Sequence, residues 1–429
     1  MRYTPISSKL FCGNRERLKS CLKPNSMVVI HSADHLPLSA DAFASYRQHS
    51  NFFYLSGINQ ADSVLIMAPD FPDKNLREML FVKETNETII TWEGEKLGLT
   101  EAVKLSGIKK TLWLNQFELV FNSMIKKIDN LYVDINENSK SELSHHLANE
   151  RFSRVCESKY PLVKVEKLNP AFTGLRMFKS TFELHAIREA AAITAEGYER
   201  VMKFLRPGIN EYEIEAEFIH EFVSKKSDGF AYGPIIASAA SACILHYEAN
   251  DKLCKDGDLV LMDVAARYAN YNADVTRTLP VNGRFSARQR EIYGAVLRVK
   301  KQAEELLRPG MILKDFNQKV GLLMEAELIK LGLILKQEVD RQNPEKPVYK
   351  KYFMHSISHH LGLDVHDTAN YQQPMAEGMV LTVEPGIYIK EEGIGIRLED
   401  DIFIGEEENI NLTSSIPIEI DEIEQIMKS

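Results

Sequence analysis

The 429-residue chain is short of several features that would each have named a function class. No uninterrupted apolar stretch approaches the roughly 18 residues a membrane-spanning helix needs. No run of five or more Lys/Arg occurs, and the formal charge of −9 at pH 7 argues against nucleic-acid or anionic-membrane partners. The opening MRYTPISSKLFCGNRERLK has no apolar h-region, so no signal peptide is expected. The five cysteines (Cys12, Cys21, Cys156, Cys243, Cys254) are odd in number and show no CxxC spacing, which fits a reduced, cytoplasmic chain better than a disulfide framework. The glycines at 393, 395 and 405 form no GxGxxG between a strand and a helix, so a dinucleotide site is not indicated.

What is present is an ordinary globular composition, 44% apolar and 26% charged, in a chain long enough for two or three cores. Residues 1–172 alternate short β-rich runs with polar or helical segments: MVVIH (27–31), FFYLSG (52–57), SVLIMAP (63–69), MLFVK (79–83) and LYVDI (131–135) are expected as strands of a mixed α/β domain. NENSKSELSHHLANERFSRV (136–155) reads as a surface helix, and EKLNPAF (166–172) as a proline-broken linker.

Residues 173–429 read as a duplicated unit. Ser180 and Glu183 form a capping box ahead of a helix that stops at Leu205-Arg206-Pro207-Gly208, and Asn210 caps a second helix. About a hundred residues later Ser286 and Gln289 repeat the box, Leu307-Arg308-Pro309-Gly310 repeats the stop, and a further helix follows from about Lys314. KKQAEE (300–305) and EIDEIEQ (419–425) read as solvated helix faces. Each helix pair precedes an expected β-hairpin bearing two acids, Asp263 with Asp274 about the turn at 268–271, and Glu384 with Glu399 about residues 391–393. Positions equidistant from a hairpin turn face each other, so each hairpin is expected to present its acids as a pair.

Asp263, Asp274, His359, Glu384 and Glu399 lie in apolar or glycine-bounded segments where a lone charge is costly to bury. Four carboxylates drawn together repel unless cations hold them, and carboxylate bridges suit two metal ions about 3.5–4 Å apart that activate water for hydrolysis. An oxygen-dominated set with one histidine favours Mn²⁺, with Zn²⁺, Co²⁺ or Fe²⁺ as alternatives. The segment YFMHSISHHLGLDVHD adds His355, His359, His360 and His366; spacing alone does not say which is the ligand and which serve substrate or protons. Cys243, with apolar flanks, reads as a buried thiol and not as a nucleophile.

The runs LVLMDVAARYANYNADVTRTLPVNG, YFMHSISHHLGLDVHD, GMVLTVEPGIYI and GIGIRLEDD closely resemble the signatures of the aminopeptidase P (Xaa-Pro aminopeptidase) branch of the pita-bread metallopeptidases, family M24. The resemblance covers most of residues 176–429, and YRQHSNFFYLSGI (46–58) extends it into the first domain. It implies an α/β (α+β) fold: an amino-terminal creatinase/prolidase-type domain (1–172) for oligomerisation and the substrate entrance, then a pseudo-twofold pita-bread catalytic domain (173–429). By position it implies Asp274 and Glu399 as bridging ligands, Asp263 on one ion, and His359 with Glu384 on the other. Glu384 resembles the residue that shuttles a proton to the leaving nitrogen. His246, His355 and His366 match histidines that contact substrate and stabilise the tetrahedral intermediate, and Arg397 an arginine supporting the network. The implied activity is release of the first residue from peptides with proline second, by a homodimer or homotetramer. A prolidase acting on Xaa-Pro dipeptides and a non-catalytic peptide-binding module are the rival readings. The chain departs from the family pattern at IIASAASA (235–242), at His360, read as an outer or surface residue, and at Asn51, which stands where Asp is usual.

Overall fold

The computed structural model describes residues 2–135 and 147–428. The chain divides into two compact units, Pro5–Leu175 and Met1–Thr4 with Arg176–Ser429.

The first unit is built on a six-stranded mixed sheet. Its strands are β1 (Ser26–His31), β2 (Val64–Met67), β3 (Glu78–Val82), β4 (Thr111–Trp113), β5 (Asn130–Val133) and β6 (Lys164–Lys167), in the order β4-β3-β2-β1-β5-β6. The central β1 pairs antiparallel with β2 and parallel with β5, so Met27 to Ile30 are buried on both faces and the run reads as continuously apolar. Met27, Val29, Ile66, Phe81 and Leu131 join Phe117 and Phe121 in one core. Four of the five expected strands form. The fifth, FFYLSG, is instead part of a helix, Ser50–Ser56. Its residues Phe52 to Leu55 are all buried, so the run carries neither a period of 2 nor one of 3.6. The ends decide the outcome: the His49 ring accepts from the Phe52 N–H, and Gly57 closes the last turn in the left-handed region. EKLNPAF is likewise not a linker but the end of β6 and the start of a helix, Asn169–Arg176, with Pro170 in the first turn where its missing N–H costs no hydrogen bond. Of the expected surface helix, residues 136–146 lie outside the described residues; the helix described there is Ala148–Lys159.

The second unit contains the duplicated pattern. Helices α1 (Thr181–Phe204) and α2 (Glu211–Ser224) form the first pair, α3 (Ala287–Leu306) and α4 (Leu313–Lys330) the second. Ser180/Glu183 and Ser286/Gln289 both make reciprocal capping boxes. Gly208 at φ +91° and Gly310 at φ +90° turn the two helix ends in the same way, in a region that favours glycine. KKQAEE is not wholly solvated: Lys300 is buried and pairs with Glu304 and Asp400.

The hairpins form, with different registers. In the first, β7 (Ile235–Ser238) and β9 (Thr276–Pro280) flank β8 (Leu259–Asp263), and Asp263 lies opposite Thr276, not Asp274. The turn falls where expected, with Ala269 and Asn270 at positive φ and Tyr268 facing Tyr271, but Asp263 lies five residues before it and Asp274 only three after it, so Asp274 falls two residues short of Asp263's partner position. In the second, β10 (Val380–Val383) pairs with β13 (Asp400–Phe403), and β11 (Gly386–Ile389) with β12 (Ile394–Arg397). Val383 faces Asp400 and Gly386 faces Arg397, so the shared register sets Glu384 opposite Glu399 at the break between the two ladders.

Candidate metal centre

Both hairpins deliver their acids to one cavity of about 840 Å³, lined by Asp263, Asp274, Glu384 and Glu399 together with His246, His355, His359, His366 and Arg397. The halves are stitched by main chain and side chain: the Glu399 N–H donates to the Thr276 carbonyl, and the Thr276 hydroxyl donates to Glu399 Oε2 at 2.6 Å. The Asp274 N–H donates to Asp401 Oδ2 at 3.0 Å. All nine residues singled out from the sequence for the site are therefore brought together.

Asp274, His359 and Glu399 each offer a ligand atom, and these atoms lie within 4.8 Å of one another. His359 Nε2 is 3.3 Å from Asp274 Oδ2 and 4.0 Å from Glu384 Oε1. Its other nitrogen, Nδ1, sits 3.0 Å from the His360 carbonyl, which fixes Nδ1 as a donor and turns Nε2 toward the carboxylates. Asp263 is oriented from both sides, by the Tyr232 hydroxyl donating to Oδ1 at 2.6 Å and by Arg397 Nη2 donating to Oδ2 at 2.6 Å.

The electrostatics test whether this set suits cations. Burial raises the Glu399 and Asp263 carboxyls, and the neighbouring carboxylates raise them further. Burial with the charges of Asp274 and Asp263 lifts Glu384 to about 7, against the pull of His359 and Arg397. Burial disfavours a charged His359, yet Asp274 and Glu384 outweigh it and raise the ring to about 9. One guanidinium does not balance four carboxylates, so without cations the cluster holds protons that its surroundings do not otherwise need. Four oxygen donors and one imidazole nitrogen, already oriented by outer hydrogen bonds, suit divalent metal ions.

Several participants were not singled out from the sequence. Thr276 and Asp401 each stand two residues beyond a singled-out acid, the same-face spacing of a strand, and that periodicity could have found them. The Tyr388 hydroxyl accepts from Arg397 Nη1 at 3.1 Å and lies 2.8 Å from His355 Nε2. Tyr388 lies in the second acid-bearing hairpin, four residues past Glu384, whereas Tyr232 sits outside both hairpins. His355 Nδ1 faces the Ser356 carbonyl at 2.7 Å, so Nδ1 donates and Nε2 accepts from Tyr388. Burial and Arg397 push this ring down to about 3, and burial also lowers His366. His360 is not at the surface: it is buried, its ring is edge-on to Tyr371, and desolvation lowers it to about 4. Asn51, in the first unit, is buried with Nδ2 donating to Asp134 Oδ2 at 2.8 Å. Cys243 is a buried thiol that burial pushes up.

Comparison with known proteins gives the chain its relatives. The chain is 36% identical to the Xaa-Pro aminopeptidase of Escherichia coli (strain K12), with 98% of each covered. It is 31% identical to Xaa-Pro aminopeptidase 3 of Homo sapiens, over 93% of this chain and 80% of that one. A Bacillus anthracis structure described as an aminopeptidase P superposes with a TM-score of 0.92 at 34% identity, and zinc-substituted E. coli aminopeptidase P in complex with product with 0.88 at 34%, each covering 99% of both chains. Residues 11–132 match the description of the aminopeptidase P N-terminal domain. Residues 185–406 match that of metallopeptidase family M24, and the chain belongs to that family.

Proposed function

We propose that this chain is a Xaa-Pro aminopeptidase, releasing the first residue of peptides whose second residue is proline. The observation that carries the reading is the buried cluster of four carboxylates and one imidazole at the wall of a large cavity, in a chain similar over nearly its full length to enzymes of that name.

Asp263, Asp274, His359, Glu384 and Glu399 would hold two divalent cations, Mn²⁺ first on the donor set. Such ions supply a water acidic enough to act as hydroxide near neutral pH, and Lewis acidity for the scissile carbonyl. The protein's own residues do the rest. Arg397 and Tyr232 hold Asp263 in place. Glu384, at the wall of the cavity, would take the proton that the attacking water gives up and pass it to the proline nitrogen, which has no hydrogen of its own before the bond breaks. His246 and His366 line the cavity without a protein hydrogen-bond partner among the described residues, which leaves their ring nitrogens to meet substrate oxygen. His355, both of its nitrogens engaged by Ser356 and Tyr388, stands with Nδ1 3.6 Å from Glu384 Oε2 and lines the same wall.

The first unit is assigned the substrate entrance and self-association, as a dimer or tetramer, which light scattering would read. The five free cysteines fit a reducing cytoplasm. The reading is tested by elemental analysis together with hydrolysis of Ala-Pro-Leu and Ala-Pro. Stoichiometric metal and release of alanine from the tripeptide are expected; cleavage confined to the dipeptide makes the chain a prolidase, and absence of metal makes it a binding module.

A further inference from the structure

The wall of the catalytic cavity is divided by charge. At its buried end lie the four acids; at its exposed end Lys314 and Lys350 line the same space beside Gln318 and Gln372. Neither lysine makes an ion pair among the described residues, whereas Lys330 reaches Glu327 and Lys336 reaches Asp340. Lys350 is also held in place. Its Nζ donates to the His355 carbonyl at 3.3 Å and sits over the Tyr349 and Phe353 rings, 5.5 and 5.7 Å from their centroids. Partial burial lowers its pKa with no carboxylate to offset the cost. Lys314 stands in the first turn of α4, where the helix end already disfavours a cation. Two cations without a carboxylate partner among the described residues, both lining one cavity, call for an anion inside it.

The chemistry of the substrate says which anion. The peptide's amino terminus belongs at the acidic end, so the chain runs outward toward the lysines. Lys350 holds the carbonyl of His355, whose ring is 3.6 Å from Glu384, so the cation lies along the same stretch of wall as the carboxyl assigned to the leaving nitrogen. The carboxylate of a residue directly after proline lies about 7 Å from that nitrogen in an extended chain. We propose that Lys350, with Lys314, binds a carboxylate on the residue following proline, so that the cavity prefers tripeptides with a free carboxyl terminus over longer or capped chains. The inference rests on the Xaa-Pro aminopeptidase reading and deepens it.

The carboxylate can come from the chain terminus or from an acidic side chain at the same residue, and three substrates separate the sources: Ala-Pro-Leu, Ala-Pro-Leu amide and Ala-Pro-Asp amide, given to the Mn²⁺-loaded full chain. A charge-assisted contact at a half-exposed site predicts a KM about tenfold lower for the acid than for the amide, with similar kcat. Lys350→Gln brings that ratio close to one, and Lys314→Gln narrows it. A low KM for Ala-Pro-Asp amide assigns the side chain as a second source; a high one restricts the site to the terminus. Equal KM values for acid and amide in the unaltered protein, or a ratio that survives in the double variant, overturn the proposal. Calorimetric binding of Pro-Leu against Pro-Leu amide reads the same contrast without turnover. If no substrate of the three releases alanine, the Xaa-Pro reading fails, while the calorimetry still decides the role of the lysines.

Discussion

Glu399 and Asp400 are neighbours in sequence, equally buried, and their surroundings are opposite. Asp400 receives Arg277 Nη2 at 2.7 Å, the Lys300 ammonium, the Thr413 hydroxyl at 2.7 Å and Asn411 Nδ2 at 3.0 Å. Burial alone would raise its carboxyl, but Arg277 and Lys300 hold it far below the usual range. Glu399 points to the other face of the strand and meets three more acids, and its carboxyl is driven up. The protein answers one charge with fixed cations and leaves its neighbour's to be answered from outside. A buried acid surrounded by permanent cations is structural. One surrounded by other acids is poised for something that binds.

The sharpest way to break this comparison is to neutralise each residue in turn. Glu399→Gln is expected to bring hydrolysis to background and to lower bound metal, because the acid opposite it on the hairpin, Glu384, cannot hold both ions. The same change removes a repelling charge, so the metal-free protein should melt no lower than the parent. Asp400→Asn should behave in the reverse sense. Removing one partner of a buried, hydrogen-bonded ion pair costs about 3–5 kcal/mol, and the melting of the second unit should drop by about 10 °C while metal still binds. Calorimetry with and without metal reads both; a Glu399→Gln protein that loses more stability than Asp400→Asn would show the acid cluster to be a structural device after all.

Acidity sharpens the contrast further. In the metal-free protein Glu384 has its folded pKa raised to about 7 against a reference of 4.5, so its charge penalises folding above pH 7 and the penalty is relieved as pH falls toward 4.5. His359, raised to about 9 from 6.5, contributes stability below 6.5 that is lost as pH rises through 9. Both trends run the same way, and the metal-free chain should melt at higher temperature at pH 5.5 than at pH 8.5. Asp400 adds nothing to that trend, since its stabilisation is lost only below its unfolded value of 3.8. Loaded with Mn²⁺, the chain should show the opposite slope, because protons compete with the ions for the same ligands. Parallel slopes for the two forms would mean that the ions bind elsewhere.

The same contrast explains what could be read before the structure. Glu399 and its companions stood out because charge in an apolar strand is expensive, and cost is visible in composition and order. Asp400 stood next to it with an identical cost, and nothing in RLEDD says which acid meets Arg277 and which meets Asp274; that division is made by which face of one strand packs on which neighbour. The helix pairs were legible because capping boxes and RPG stops are local chemistry. The first hairpin's turn was legible too, at 268–271, and counting outward from it sets Asp263 against Thr276; the expected pairing with Asp274 did not follow from that turn. FFYLSG escaped for another reason: a segment buried on all sides loses the periodicity that marks its type, and only His49 and Gly57 at its ends record the helix.

His360 offers the mildest test, because it sits beside a proposed ligand and in the same buried layer without sharing its role. Its ring is desolvated and neutral, its Nδ1 has no hydrogen-bond partner among the described residues, and the ring lies edge-on to Tyr371. What His359 needs from position 360 is the backbone carbonyl, which any residue supplies. His360→Leu therefore removes an unsatisfied buried nitrogen and keeps the apolar contact, so metal content and hydrolysis should stay within about twofold of the parent and stability should hold or rise slightly. His359→Leu, one residue earlier, should lose metal and activity together. If metal analysis gave the two variants equal losses, the imidazole facing the acids would not be the one that separates this site from an ordinary buried histidine pair.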